Sequence, residues 1–481
     1  MTRSLAIAVL VCSLLAAGCV QAPDVQTAAV DDAAVGAMHK LVSFTRAGVV
    51  PTAADFAGLH VEIAPTGLST GEPSLGVTSD GAIYVTHGDG AIARSTDHGA
   101  TWEDLSMKDV IRAPKTSLDP WVWVDPVSDR VYNAPLYVAC TWASWSDDGG
   151  DSWDFNPIAG CGIPAHDHQK LTSFGGEVVY YSYNSFRGEG TWVTASKDGG
   201  RTFPPGMSVH PDDKCHSGIA SPVIAAPDGT AYSGHPTCDG VSVAVTKDSG
   251  SSWSKPVVIT DVGAAQALAH MVDVATDEAD HAYVTWTGAD GAAYIVSTTD
   301  AGETWSAPKR VSPPTLGSTV YNVITAGADG KVVVGFLGTE DDATKWDTID
   351  AQNAADTTVW NVYLSYVDMA TSDDPVVTTI QVNPADDPVQ IGCIWQSGGS
   401  NPCRNLGDFI DLVQRDGRPY LVYADGCDAC SKNTESRGSE VTVAFVEVGP
   451  SLLGGALGAL EEMAGHDHAQ AGALLALPEL R

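Results

Sequence analysis

The 481-residue chain carries 60 acidic and only 25 basic side chains, a formal net charge of −35 at neutral pH. Nucleic acids and anionic lipids draw their affinity from lysine and arginine contacts, so this balance excludes non-specific binding to either. An apolar share of 44 % over this length is enough for a large core.

The first 18 residues have the form of a signal peptide: Arg3 leads, an apolar run follows from Leu5 to Leu15, and small residues precede Cys19. The stretch "LAAGC" resembles a bacterial lipoprotein box, which implies that Cys19 becomes the lipidated first residue of the exported chain. An ordinary cleaved signal is the other reading. Either way the protein is expected at the cell surface or in the periplasm, with no membrane contact beyond the lipid, because no other stretch has the ~18 apolar residues of a span. Residues 19–55, poor in large apolar side chains, are expected to be a flexible linker.

From residue 56 to 449 the pattern is one of short strands. "PSLGVTSDGAIYVTH", "PWVWVDPVSDRVYNA" and "SPVIAAPDGTAYSGH" each read as two strands of four to six residues joined by an Asp/Pro/Gly turn. A third strand such as "VSVAVT" follows, then a turn motif, then a fourth strand such as "KPVVIT". The turn motif returns five times as "STDHGATW", "SDDGGDSW", "SKDGGRTF", "TKDSGSSW" and "TTDAGETW", with aspartates at Asp97, Asp148, Asp198, Asp248 and Asp300, some 50 residues apart. Four antiparallel strands per period, with no amphipathic helix between, predict the blades of an all-β propeller. Tyr84, Tyr132, Tyr180, Tyr232 and Tyr283 mark five blades, "KVVVGF" from Lys331 a sixth and "RPYLVYADG" from Arg418 a seventh. The seventh lacks an outer strand, and "LHVEIAP" from Leu59 is expected to supply it. An insertion between Gly335 and Val359 is expected as a loop on the binding face, and residues 450–481 as a weakly helical or disordered tail.

In such a turn the aspartate accepts hydrogen bonds from its own loop, glycine supplies a positive φ, and the aromatic packs between neighbouring sheets. The five aspartates are therefore read as structural. The motifs resemble the Asp-box, or BNR, repeats of sialidases and sialidase-like propellers, over residues 60 to 449. The resemblance implies a glycan ligand, and in the sialidases a clamp of three arginines, a Tyr–Glu nucleophile pair and an aspartate acid/base. The Phe/Tyr-Arg-Ile-Pro motif that carries the first arginine is absent, since Gly162 precedes Ile163-Pro164. Arg94, Arg187 and Arg404 are isolated arginines that do not align to the clamp.

Eight further cysteines pair by proximity, as expected for disulfides in an exported chain: Cys140 with Cys161, Cys215 with Cys238, Cys393 with Cys403, and Cys427 with Cys430. In a propeller, the lead-ins to the first strands converge with the loops between second and third strands at one mouth of the central channel. Those segments are rich in carboxylates and imidazoles. Asp119, Asp167 and Asp408 are the candidate catalytic acids, and Glu72, His87, Arg187, His235 and Tyr321 the candidates for substrate contact. His168, His216 and His270 are candidate ligands for a divalent cation, calcium or zinc. The reading is a monomeric, sialidase-like propeller that recognises or hydrolyses glycans at the channel mouth. The alternative is a non-catalytic propeller binding a glycan or a cell-surface protein.

Overall fold

The computed structural model describes residues 26–28, 41–45, 56, 58–105, 119–137, 140–161, 166–185, 190–211, 218–237, 240–260, 271–345, 351–395, 401–427 and 438–460. They form seven antiparallel sheets around one axis, each with four principal strands: a seven-bladed propeller. The first blade, typical of the others, consists of Leu75–Val77, Ile83–His87, Ala91–Ser95 and Glu103–Asp104. The first strands of the following blades are Val122–Val124, His166–Phe174, Ile224–Ala225, Asp273–Thr276, Ser318–Ala326 and Asp411–Arg415. Helix is confined, among the described residues before residue 460, to four three-residue 3-10 turns, and no described helix is long and apolar enough to cross a membrane.

The ring closes as the sequence predicts. His60–Ser69 lies against Glu440–Pro450 with His60 opposite Val448 and Ala64 opposite Val443, so both ends of the propeller share the seventh blade. Two features depart from expectation. Leu41–Thr45, inside the segment read as a flexible linker, pairs with Val376–Gln381 on the outer edge of the sixth blade, and Gln26–Ala28 pairs with it in turn. The alternating "LVSFT" suits an unfilled sheet edge. Beyond Pro450, Ala456–Leu457 pairs back onto the last strand and Leu452 is buried, so the first residues assigned to the tail belong to the blade. The insertion after the second strand of the sixth blade is built in, burying Ala343, Ala351 and Ala354 in the main apolar cluster.

The five repeated turns hold as read. In each, one carboxylate oxygen of the aspartate accepts the backbone N–H four residues on, at 2.8–2.9 Å, and the other accepts that residue's hydroxyl at 2.5–2.6 Å. The preceding Ser or Thr donates to the same carboxylate and accepts from the glycine N–H, as Ser146 does from Gly150, whose φ of 99° suits glycine alone. These donors hold the carboxyls of Asp148, Asp248 and Asp300 down at about 2. Trp102, Trp153, Phe203, Trp253 and Trp305 pack against five different stretches of the core.

Candidate active site at the channel mouth

The lead-ins of four adjacent blades, the seventh, first, second and third, bring together a compact set of charges on the face opposite the repeated turns. Glu72 precedes the first strand of blade one and Asp119 that of blade two. Asp167 and His168 sit in blade three at a β-bulge, where the register shifts between Asp167 and Lys170. Asp408 and Arg404 belong to the long connection into blade seven, which the Cys393–Cys403 disulfide closes into a short loop ending in the turn Pro402–Arg404. Glu72, Asp119 and His168 all have positive φ, at 76°, 52° and 47°. Backbone strain in non-glycine residues is stored where a side chain must be aimed, and here three such residues aim ionisable groups at one place.

The contacts are direct. Arg404 reaches Glu72 at 3.2 Å and Asp408 at 2.5 Å. His168 lies 3.5 Å from Asp408 through Nε2 and 3.9 Å from Asp167 through Nδ1, while its backbone N–H donates to Asp119 at 3.2 Å. Asp119 shares a hydrogen bond with the Glu72 carboxyl, and an oxygen of Asp167 lies within 4.8 Å of it. Asp408, Glu72 and Asp119 are buried, and Asp167, with 31 % of its side chain exposed, is the most open of the four acids.

Burial, and then the neighbouring Asp119, push the Glu72 carboxyl well above the ordinary carboxylate range. Asp119 is also buried, but the hydrogen bond from Glu72 and the charge on His168 outweigh that and hold it below its ordinary value. One proton is thus kept on Glu72 and shared towards an ionised Asp119. Burial lifts Asp167, and His168, despite burial, is lifted by Asp408, Asp119 and Asp167 and carries a charge more readily than a free imidazole. Four carboxyls face two cations, so the mouth matches a neutral or cationic ligand better than an anionic one.

Asp119, Asp167 and His168 each offer one ligand atom, all within 4.8 Å of one another. As a donor set for zinc this is sufficient in type. It would require His168 to give up the proton that its three carboxylate neighbours favour, and one oxygen of Asp119 is already engaged by a backbone N–H. The proton on Glu72, Arg404 and a charged His168 together offset three of the four acids, so the set keeps one net negative charge without a metal.

Other candidates lie elsewhere. His87 ends a second strand and approaches Asp104 of the outer strand at 3.7 Å. His235 is buried between blades, hydrogen-bonded to Thr191 at 2.9 Å and stacked 5.2 Å from His210. Both were expected at the mouth because they close second strands; strand pleating turns them into the sheet packing instead. Tyr321, with φ of 58°, is buried with its hydroxyl donating to Gly407 O at 2.6 Å, a fastening between blades six and seven rather than an open contact. Arg187, His216, His270, Cys19, Cys215, Cys238 and Cys430 lie outside the described residues. Cys140 is disulfide-bonded and stands opposite Cys161 in the sheet. Arg94 is on the far face, donating to Gly149 O and Asp151, so among the described residues the arginines Arg94 and Arg404 do not converge.

The residue that sequence reasoning missed is Lys170. It is 1 % exposed, and its ammonium lies over the rings of Trp121 at 5.4 Å and Phe409 at 5.2 Å, reaching from blade three to blades two and seven. Burial lowers it to about 8, against the pull of Asp273, Asp119, Asp411 and Glu72. Only the bulge at His168, invisible in a hydropathy pattern, sends this side chain to the axis.

No family model matches the sequence, and no curated protein is detectably similar to it. Solved structures do resemble it. An ulvan lyase, a polysaccharide lyase of family PL25 bound to -[GlcA(1-4)Rha3S]-, superposes with a TM-score of 0.45 at 12 % identity, over 85 % of this chain and 98 % of the lyase. YCF48 bound to a D1 peptide gives 0.44 at 10 % identity, over 80 % of this chain and 96 % of its own. The intramolecular trans-sialidase from Ruminococcus gnavus gives 0.40 at 14 % identity, over 82 % and 95 %. These likenesses are of fold alone.

Proposed function

We propose that the protein is an exported, surface-anchored propeller of the Asp-box kind that binds a neutral glycan at the channel mouth and cleaves a glycosidic bond there by general acid–base chemistry. The carrying observation is the buried Glu72–Asp119 carboxyl pair set under Arg404, with the more open Asp167 beside it. Glycoside cleavage needs one carboxyl that keeps its proton at working pH and a second that accepts one. Glu72 is the donor, held protonated by burial and by Asp119. Asp167 is the base, its proton affinity raised towards the working range by burial. Asp408 and Arg404 orient His168 and Glu72 and keep the set compact. The surplus of acids disfavours sialic acid or a uronate, in keeping with the absent arginine motif.

The test is a screen of neutral and anionic oligosaccharides for cleavage products, with Glu72→Gln and Asp167→Asn as controls. Turnover of a neutral glycan that falls at least ~100-fold in both folded variants is expected, the scale of a lost acid or base. Binding of a neutral glycan without cleavage would select the non-catalytic alternative. Cleavage only of sialosides would overturn the charge argument. A divalent cation at Asp119, Asp167 and His168 is the second reading, carried by their convergence; zinc or calcium titration of the wild type and of His168→Ala decides it, and no heat in the wild type removes it.

A further inference from the structure

Below the mouth, on the far side of Trp121, the channel opens into a separate cavity of about 230 Å³. It runs along the first strands from Trp121, Asp273 and Asp411 at their starts towards Pro126 and Arg415 at their far ends, with Trp123 in its wall. Both acids are almost fully buried. Each is tied into the ring: Asp411 accepts the N–H of Leu75 in the next blade at 3.0 Å and of Leu412 at 2.9 Å, and Asp273 those of Ile324 in the next blade and of Val274, both at 2.9 Å.

Among the described residues neither acid forms an ion pair. Lys170, whose charge reaches both acids, has no hydrogen-bond partner and rests on the two rings, and Arg415 lies at the far end of the cavity. Two buried carboxylates of the same sign therefore face a largely apolar space with lone pairs left over, since each oxygen accepts only one of the two bonds it can take. We propose that this cavity binds a small organic ammonium ion, its charged head against Asp273 and Asp411 and its apolar body against Trp121 and Trp123.

Each alternative occupant fails on one count. An anion meets two acids; a neutral apolar molecule leaves both unmatched; an inorganic cation leaves the indole walls unused, whereas an ammonium gains from ring faces as well as from charge. The volume suits a single-ring amine, roughly eight waters at about 30 Å³ each. Both acids are pushed up to about 7 by burial, with Asp411 adding to the rise at Asp273 and the Lys170 charge opposing it at both.

The test uses the full chain and three probes of one shape, benzylammonium, benzyl alcohol and benzoate, in calorimetric titrations at neutral pH. Benzylammonium is expected to bind at least ~10-fold tighter than the alcohol, the scale of a charge-assisted contact, with benzoate silent. Its heat should vary with the ionisation enthalpy of the buffer, because protons leave the acids. Asp273→Asn should weaken benzylammonium by ~10-fold and leave benzyl alcohol unchanged. If that variant fails to fold, Val413→Trp, which narrows the cavity from its wall, should abolish binding of both. Absence of benzylammonium binding, or equal affinity for the alcohol, overturns the proposal. Neither variant touches Glu72 or Asp167, so the result is independent of the glycan reading.

Discussion

Asp411 offers a quantitative check on how the ring is held. Its carboxylate clasps blade seven to blade one through Leu75 N–H, yet burial lifts it from an ordinary 3.8 to about 7. A group whose proton affinity rises on folding contributes stability that is full below its unfolded value and is lost as pH climbs through the folded one. Between about pH 5 and 8 the displacement amounts to on the order of 2 to 3 kcal/mol, at about 1.4 kcal/mol per unit. Asp411→Asn keeps one acceptor for Leu75 and cannot ionise. The variant's stability relative to the wild type should therefore rise by on the order of 2 to 3 kcal/mol between about pH 5 and pH 8, because only the wild type carries the ionisable group. Denaturant unfolding of both proteins at the two pH values measures this directly. Parallel pH dependence, or a variant weaker at both values by the same margin, would show that Asp411 is ionised in the folded protein and that the clasp is an ordinary carboxylate bond.

Asp198→Ala removes three hydrogen bonds from one repeated turn, two of them exposed and one part-buried. A loss of about 1 kcal/mol in thermal unfolding is expected, with glycan affinity at the mouth unchanged; a tenfold affinity loss at unchanged stability would place function in the turns. Cys19→Ala should release the protein from the membrane fraction, and continued sedimentation with membranes would rule out lipidation at that residue.

The blade count and ring closure were legible because they are periodic. Five turns at a 50-residue spacing, tyrosines in second strands and one strand short at the end leave little freedom. The mouth was legible only where the side chain follows from its place at a lead-in: Glu72, Asp119, Asp167, His168 and Asp408 come together as that rule implies. Arg404 was not, because its position depends on a non-repeating connection closed by Cys393–Cys403. His87 and His235 point into contacts with Asp104 and Thr191 because neighbouring residues on a strand face opposite sides of the sheet. Lys170 required knowing where the bulge falls. The pairing of Leu41–Thr45 with blade six depends on an edge that exists only once the propeller has formed.

Acid–base chemistry at the mouth depends on the proton that Glu72 keeps. Carboxyl-resolved carbon NMR on the full chain, with Glu72→Gln to assign the resonance, follows that group through pH directly. Glu72 is predicted to hold its proton well above the ordinary glutamate value, while Asp119 loses its proton below its ordinary value. A Glu72 resonance that titrates near the ordinary glutamate value of about 4.3 would contradict the acid–base pair and, with it, the assignment of Glu72 as proton donor.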